Sequence, residues 1–273
     1  MNDKAYIFTG TFEQFKGATI VFKRIRDLGS TLPIYFFTNE LIIDKYYLSK
    51  AEIYKCDIIN VKGNFNCVFS YKIQSILDSI NKEVIFCDCD ILPIHNLEIL
   101  FDSPLYKSKG YVLFQDAQVS VYEDGTPQTD SGVMLWNKSV WGEKLLGCLE
   151  FTEKYHDSLS MGDKESYYHI IKDIIHMPKK PDFIGFKEGD EFFGCSMLHY
   201  YDNHPIFIHS TLMKFNFNIA LSPIWTHIFK NETNMLIHKK CKLYNRFFIN
   251  NPTDERVNKE IFKLNEYITT DNN

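Results

Sequence analysis

No excess of positive charge, no paired-cysteine spacing and no long apolar run mark this sequence of 273 residues. The formal net charge is −5 at pH 7. The chain is therefore not globally basic and a nucleic-acid partner is not indicated, although a local basic pocket for a small phosphorylated ligand fits that balance. The seven cysteines, at 56, 67, 87, 89, 148, 195 and 241, are odd in number and form no CxxC pair. Neither a zinc ribbon nor a disulfide framework is indicated. Several of them stand in apolar strand-like runs, where cysteine behaves as a small hydrophobe. Reduced thiols in a cytoplasmic compartment are the expectation.

No targeting segment is expected either. "MNDKAYIFTG" passes directly into a strand pattern with no signal peptide. No apolar stretch reaches the about 20 residues that span a bilayer. The triplets "NKS" at 137 and "NET" at 231 match the glycosylation sequon, a short pattern that recurs by chance. No repeat, low-complexity tract or clear linker interrupts the chain.

What is present is an alternation of strand and helix. "AYIFTG" (5–10) is a short apolar strand, and residues 12–28 follow as a helix with Gly29 as its stop. "LPIYFFT" (32–38) and "CDIINV" (56–61) are strands; "FSYKIQSILDSI" (69–80) carries apolar residues at 69, 73, 76, 77 and 80, the spacing of one helical face. "EVIFCDCDILP" (83–93) and "GYVLFQD" (110–116) continue the series. This order predicts an α/β fold, a mainly parallel sheet flanked by helices. "SGVMLWN" (131–137) reads as a further strand, 141–155 as an amphipathic helix, and "GDKESYYHIIKDI" (162–174) as a helix start with acids in its first turn. The pattern decays after "PIFIHSTLMKF" (205–215), so one domain over 1–215 with a C-terminal extension over 216–273 is expected.

The apolar run Val84–Cys87 leads straight into Asp88 and Asp90. Carboxylates there face a heavy desolvation cost unless a positive partner meets them. In parallel sheets ligands bind beyond the carboxyl ends of the strands, and Thr9, Gly10, Asp88 and Asp90 all fall at such ends. An Asp-x-Asp can aim both carboxylates into one space, and hard oxygen donors suit Mg²⁺ or Mn²⁺ completed by water and phosphate. The blander alternative is two loop aspartates that cap a helix or stay solvated. "HSTLMKF" adds His209 as a candidate third ligand and Lys214 as a candidate phosphate partner. "TDSG" with Asp130, and "GDKES" with Asp163, Lys164 and Glu165, supply carboxylates that could accept sugar hydroxyls or stabilise an electron-deficient anomeric carbon.

Taken in order, these segments resemble the GT-A glycosyltransferases, and most closely the fungal Golgi α-mannosyltransferase family (glycosyltransferase family 71). "RDLGSTLPIYFF" is similar to that family's first helix and second strand. "KEVIFCDCDILPIHNLEILFDSPLYKSKGYVLFQD" is similar to its metal-site stretch. "TDSGVMLWNKS" resembles its Glu-Ser-Gly strand with Asp130 in place of the usual Glu, "GDKES" its Gly-Asp-Lys-Glu segment, and "PIFIHSTLMKF" its closing His…Lys segment. The match covers about residues 5 to 215.

The resemblance implies a metal-dependent retaining transferase using a nucleotide-diphosphate sugar, GDP-mannose or a UDP-sugar, with a glycan-type acceptor. Asp88, Asp90 and His209 would hold Mn²⁺ or Mg²⁺. Lys214 would meet the diphosphate, and Thr9 with Gly10 would line the nucleotide. Lys72 matches a basic position that faces donor phosphate or sugar. Asp130, Asp163 and Glu165 would face the transferred sugar and acceptor. Two rivals stand beside it: a nucleotide-sugar-binding module without turnover, and a haloacid-dehalogenase-type phosphatase, which also carries DxD after an apolar strand. The phosphatase pattern expects Thr or Val where Leu92 stands, and a motif near the N-terminus.

Overall fold

The computed structural model of the protein describes residues 3–42, 44–116, 121–122, 124–158, 163–188, 191–209 and 247–249. In chain order the elements begin with β1 (Lys4–Thr9), α1 (Phe12–Asp27), β2 (Ile34–Thr38), α2 (Lys45–Ile53), β3 (Cys56–Asn60), α3 (Val68–Asp78), β4 (Glu83–Cys87) and β5 (Ile91–Pro93). A 3-10 turn (Leu97–Asp102) precedes α4 (Pro104–Lys109), β6 (Tyr111–Gln115), β7 (Thr129–Asn137), α5 (Lys138–Tyr155) and α6 (Asp163–Ile170). Strands β8 (Asp182–Glu188), β9 (Glu191–Tyr201), β10 (His204–His209) and β11 (Phe247–Ile249) complete the described elements.

The chain divides into two compact units, one of Met1–Cys89 with Asn96–Pro178, the other of Asp90–His95 with Lys179–Asn273. The division falls inside the Asp-x-Asp motif.

The first unit is built on a six-stranded sheet in the order β3-β2-β1-β4-β7-β6. The pairs β1–β2, β2–β3 and β1–β4 are parallel, as the strand–helix alternation predicts. At the other edge β4–β7 and β6–β7 run antiparallel. The physical reason lies in the connections: among the described residues between β6 and β7 no helix stands, and Val121 forms a bridge with Pro127. Without a crossover helix a strand cannot return in parallel.

Period-two alternation assigns the two faces of this sheet. Phe8 and Phe36 point to the side of α1, where Phe15 and Phe22 meet them edge to face, with Phe15–Phe36 centroids 4.7 Å apart and Phe8–Phe22 4.9 Å apart. Ala5, Ile7, Val84, Phe86, Met134 and Trp136 point to the opposite side and pack with Ile73, Ile76, Leu145, Cys148 and Tyr167 of α3, α5 and α6. Both faces are thus apolar, which is why the strands read as unbroken hydrophobic runs.

Helix α1 begins as its sequence dictates. The Thr11 side chain accepts from the Gln14 N–H, and the Gln14 Oε1 accepts the Thr11 N–H at 2.8 Å, a complete capping box. Gly29, with φ +86°, follows its end, in the left-handed region that glycine adopts without a Cβ penalty. Helices α2 and α4 and strands β5, β8 and β9 extend the described elements beyond those read from the sequence.

The second unit contains an antiparallel sheet in the order β11-β8-β9-β10-β5. Strand β5, directly after the Asp-x-Asp, pairs with β10 so that His209 stands opposite Ile91 and Phe207 opposite Pro93. Residues 216–273, other than 247–249, lie outside the described residues.

Candidate active site

In the first unit, β1 and β4 are parallel neighbours, so their carboxyl ends lie side by side. That places Thr9, Gly10 and Asp88 on one edge of the sheet. The Thr9 hydroxyl donates to the Phe37 carbonyl at 3.1 Å, and the Gly10 N–H donates to the same oxygen at 3.1 Å. A Cβ on Gly10 would stand 2.6 Å from Gln14 Oε1 and 2.9 Å from Gln14 Cβ. Glycine at position 10 therefore lets the capping glutamine close over the strand end.

Asp88 lies two residues beyond Phe86 and continues its face, toward α3. Its N–H donates to the Gly132 carbonyl at 2.8 Å, which ties it to β7. Lys72 stands one helical turn before Ile76 on α3, on the same stripe. Its ammonium sits 3.1 Å from Asp88 Oδ1 and 3.2 Å from Asp88 Oδ2. The same nitrogen lies 3.4 Å from Asp163 Oδ2, 3.0 Å from Ser131 Oγ and 3.3 Å from the Ser131 carbonyl. Ser131 Oγ in turn donates to Asp163 Oδ1 at 3.2 Å. Lys72, Asp88 and Asp163 are all buried, with at most 6% of each residue exposed. The opening difficulty of buried carboxylates at a strand end is thus met, within this unit, by an internal lysine.

Ser131 reaches this cluster because β7 is irregular. Val112 pairs with Leu135 while Phe114 pairs with Asp130, so a step of two residues on β6 answers to five on β7. Such an odd excess reverses the alternation of faces. Ser131, which strict alternation from Met134 and Trp136 would turn the other way, comes round to Lys72 and Asp163.

Asp130 is fully buried, and its Oδ1 accepts the Gly132 N–H at 2.8 Å. Its charge acts on Lys164, which also forms a hydrogen-bonded ion pair with Asp116 at the end of β6. Burial opposes the Lys164 charge, but the carboxylates of Asp130, Asp116 and Asp163 outweigh it and hold the ammonium above its ordinary pKa. Glu165 is half-buried, and its charge, after burial itself, helps to raise the Tyr122 phenol. Burial, reinforced by Asp163, also raises Tyr167 well above its ordinary value, and burial with Asp88 raises the Cys87 thiol.

In the second unit, the His209 Nε2 lies 3.5 Å from Asp90 Oδ1, with both side chains buried. His199, also buried, stacks on Phe207 with centroids 4.4 Å apart. The Asp90–His209 pair joins a hard carboxylate oxygen to an imidazole nitrogen, a donor set suited to Mn²⁺ or Mg²⁺.

Of the residues singled out from the sequence, Lys72, Asp88 and Asp163 are directly joined, Thr9 and Gly10 share the sheet edge, and Asp90 meets His209. Asp130 and Glu165 are placed around the start of α6, through their charges on Lys164 and Tyr122. Lys214 lies outside the described residues. Sequence reasoning gave no role to Ser131, Lys164, Asp116 or His176. Asp116 carried a signal of the same kind as Asp88: a carboxylate directly after an apolar strand.

Parts of the chain are similar to known proteins. Residues 5–127, the span that contains both aspartates of the DxD, match the family described as "Mannosyltransferase putative". A segment of 109 residues is 28% identical to the alpha-1,2-mannosyltransferase MNN2 of Candida albicans, covering 36% of this chain and 18% of that protein. A 90-residue segment is 33% identical to the protein named "Putative alpha-1,3-mannosyltransferase MNN15" of the same organism, covering 29% of this chain and 11% of that one. The chain therefore spans less than a fifth of the length of these curated relatives. Among solved structures, the glycosyltransferase GlyE of Streptococcus pneumoniae superposes with a TM-score of 0.48 and 22% identity, covering 63% of this chain and 44% of that one. The galactosyltransferase LgtC, solved with donor and acceptor sugar analogues, gives 0.47 and 17%, covering 59% and 68%.

Parts of the chain are thus similar to mannosyltransferases. The likeness to the mannosyltransferase family extends over residues 5–127.

Proposed function

We propose that the protein is a metal-dependent, retaining glycosyltransferase that moves a mannose-like hexose from a nucleotide-diphosphate sugar to a hydroxyl of a glycan-type acceptor. The observation that carries this reading is the placement of the DxD. Its first carboxylate ends the parallel strand β4 beside the nucleotide-side turn Thr9–Gly10, inside the stretch that matches the mannosyltransferase family.

In this reading Asp88, Asp90 and His209 hold a divalent ion, Mn²⁺ or Mg²⁺, whose donors are of the hard oxygen and imidazole type. When bound, the ion neutralises charge on the leaving diphosphate. Thr9 and Gly10 line the nucleotide, and Lys214 offers its ammonium to the diphosphate. Asp130, Asp163 and Glu165 face the sugar, where a fixed negative charge favours an oxocarbenium-like carbon over the neutral ground state. Retention would follow from front-face attack by the acceptor hydroxyl, its proton passing to the departing phosphate oxygen. Holding donor and acceptor in one orientation supplies much of the acceleration such a step needs.

The compartment is part of the proposal. Five cysteines, at 56, 67, 87, 89 and 148, are buried and unbridged, which suits the reducing conditions of a cytoplasm. Among the described residues no helix is long and apolar enough to cross a membrane.

The test is a panel of nucleotide sugars, GDP-mannose and UDP-hexoses, incubated with the protein and Mn²⁺ and followed by release of nucleotide. Metal-dependent release of GDP or UDP is expected, because transferases leak some sugar to water. Tight nucleotide binding with no release from any donor, with or without glycan acceptors, would instead identify a binding module.

A further inference from the structure

Lys72 has more acceptors around it than it has protons. Five oxygens lie within 3.4 Å of its nitrogen: both carboxylate oxygens of Asp88, Oδ2 of Asp163, and the hydroxyl and carbonyl oxygens of Ser131. An ammonium carries three N–H donors. Its remaining side is apolar, since the nitrogen stands 5.3 Å from the Phe86 ring centroid. A lysine so enclosed has no proton left over for a phosphate, and its side chain is 7% exposed.

We infer that Lys72 is a positioning residue: it clamps Asp88, on the end of β4, to Asp163, at the first residue of α6, and does not itself contact the donor phosphate. This inference rests on the glycosyltransferase reading only for what the two carboxylates do afterwards. The clamp itself is a property of the first unit. Two consecutive elements, α3 and β4, meet the start of α6, far along the chain, at one ammonium. Ser131, brought round by the β7 irregularity, closes the ring by donating to Asp163 while accepting from Lys72. Without the cation, two buried carboxylates would face each other across the gap, and each would be pushed outward or protonated.

The consequence for function is a division of labour among lysines. The charge that a basic residue on α3 would bring to the donor is consumed in holding the carboxylates. Asp88 presents to the outside only what its pairing with Lys72 leaves, and Asp163 is fixed in orientation before any sugar arrives. The diphosphate must then be met by other groups, with Lys214 as the candidate from the sequence.

Two measurements test this. The first uses the ligand-free protein: chemical denaturation of wild type, Lys72→Met, Asp163→Asn and the double variant. A clamp predicts strong coupling, with Lys72→Met lowering the midpoint markedly and Asp163→Asn in the same chain restoring much of the loss, because one fewer buried charge is left unpaired. Additive effects would overturn the clamp. Lys72→Arg, which keeps the charge, provides a folded variant should Lys72→Met not accumulate.

The second uses the NMR signal of the Lys72 ammonium, which five acceptors should protect from exchange. The signal is expected to shift on Asp163→Asn and to show no coupling to phosphorus on addition of UDP or GDP with Mg²⁺. Coupling of the Lys72 ammonium to phosphorus in the nucleotide complex would show Lys72 to be a phosphate ligand and sink the inference. If wild type binds neither nucleotide, the glycosyltransferase reading fails, while the denaturation cycle still decides the clamp.

Discussion

Thr129 Oγ1 lies 2.9 Å from His176 Nε2, with both side chains buried and Asp130 the next residue along β7. Burial pushes the imidazole down from 6.5 to about 4, so His176 is neutral in the folded protein. The unfolded chain binds a proton on this residue at higher pH than the folded one does. The contribution of His176 to stability is therefore complete above about pH 6.5 and is lost as pH falls toward 4. A shift of that size corresponds to about 3 kcal/mol over the window. Denaturation between pH 4 and 7 should show His176→Gln less acid-sensitive than wild type across this range. Parallel curves for the two proteins would show that the imidazole is not held neutral.

Gly10 admits the Gln14 side chain that completes the α1 capping box. Gly10→Ala would put a Cβ 2.9 Å from Gln14 Cβ, so the start of the helix must shift and the box must open. A loss of about 1 kcal/mol is expected, the typical value of an N-cap, read as a lower denaturation midpoint. Gln14→Ala alone should lower stability less, since the Thr11 side chain keeps its own bond. An unchanged midpoint for Gly10→Ala would mean that the turn accommodates the methyl group.

Lys164 and Asp116 form a second, partly buried ion pair, joining the start of α6 to the end of β6. Removing Lys164 leaves the Asp116 carboxylate buried, which costs up to about 3 kcal/mol. Lys164→Met should therefore destabilise strongly, and Asp116→Asn added to it should recover part of the loss. The double-variant cycle, measured by urea denaturation, decides: no recovery would place the importance of Lys164 elsewhere, with Asp130 the first alternative.

Asp90→Ala removes one proposed ion ligand at a strand boundary without touching the apolar core. Circular dichroism should be unchanged, while Mn²⁺-dependent binding of the nucleoside diphosphate, followed by calorimetry, should vanish. Retained Mn²⁺-dependent affinity would refute the ion site. Asp130→Asn and Asp163→Asn address the chemistry instead. Turnover should fall about 10²-fold or more for at least one of them, with donor affinity much less altered, because interactions made in the transition state govern turnover.

The sheet of the first unit was legible in the sequence because its central strands β1 and β4 are covered on both faces. Runs such as Ala5–Phe8 and Val84–Cys87 have the length and composition of buried strands, and period 3.6 in residues 69–80 marks α3. The sheet edge that carries Thr9, Gly10 and Asp88 follows from the same alternation, because parallel strands gather their carboxyl ends on one side. The carboxylates Asp88, Asp130 and Asp163 were visible as acids at the ends of apolar runs or at a helix start.

What the sequence could not disclose is which of these acids meet, and through what. Lys72 was visible as a basic residue on the helix before the DxD. That its nitrogen is shared by Asp88, Asp163 and Ser131 depends on the crossing of α3, β4 and α6, and on the odd step in β7 that turns Ser131 around. The antiparallel return of β7 and the neutral state of His176 likewise depend on contacts between segments far apart in the chain. Local periodicity and capping are short-range effects written into neighbouring residues. Desolvation and the pairing of buried charges are set by whatever the fold brings within a few ångströms, and only the tertiary structure decides that.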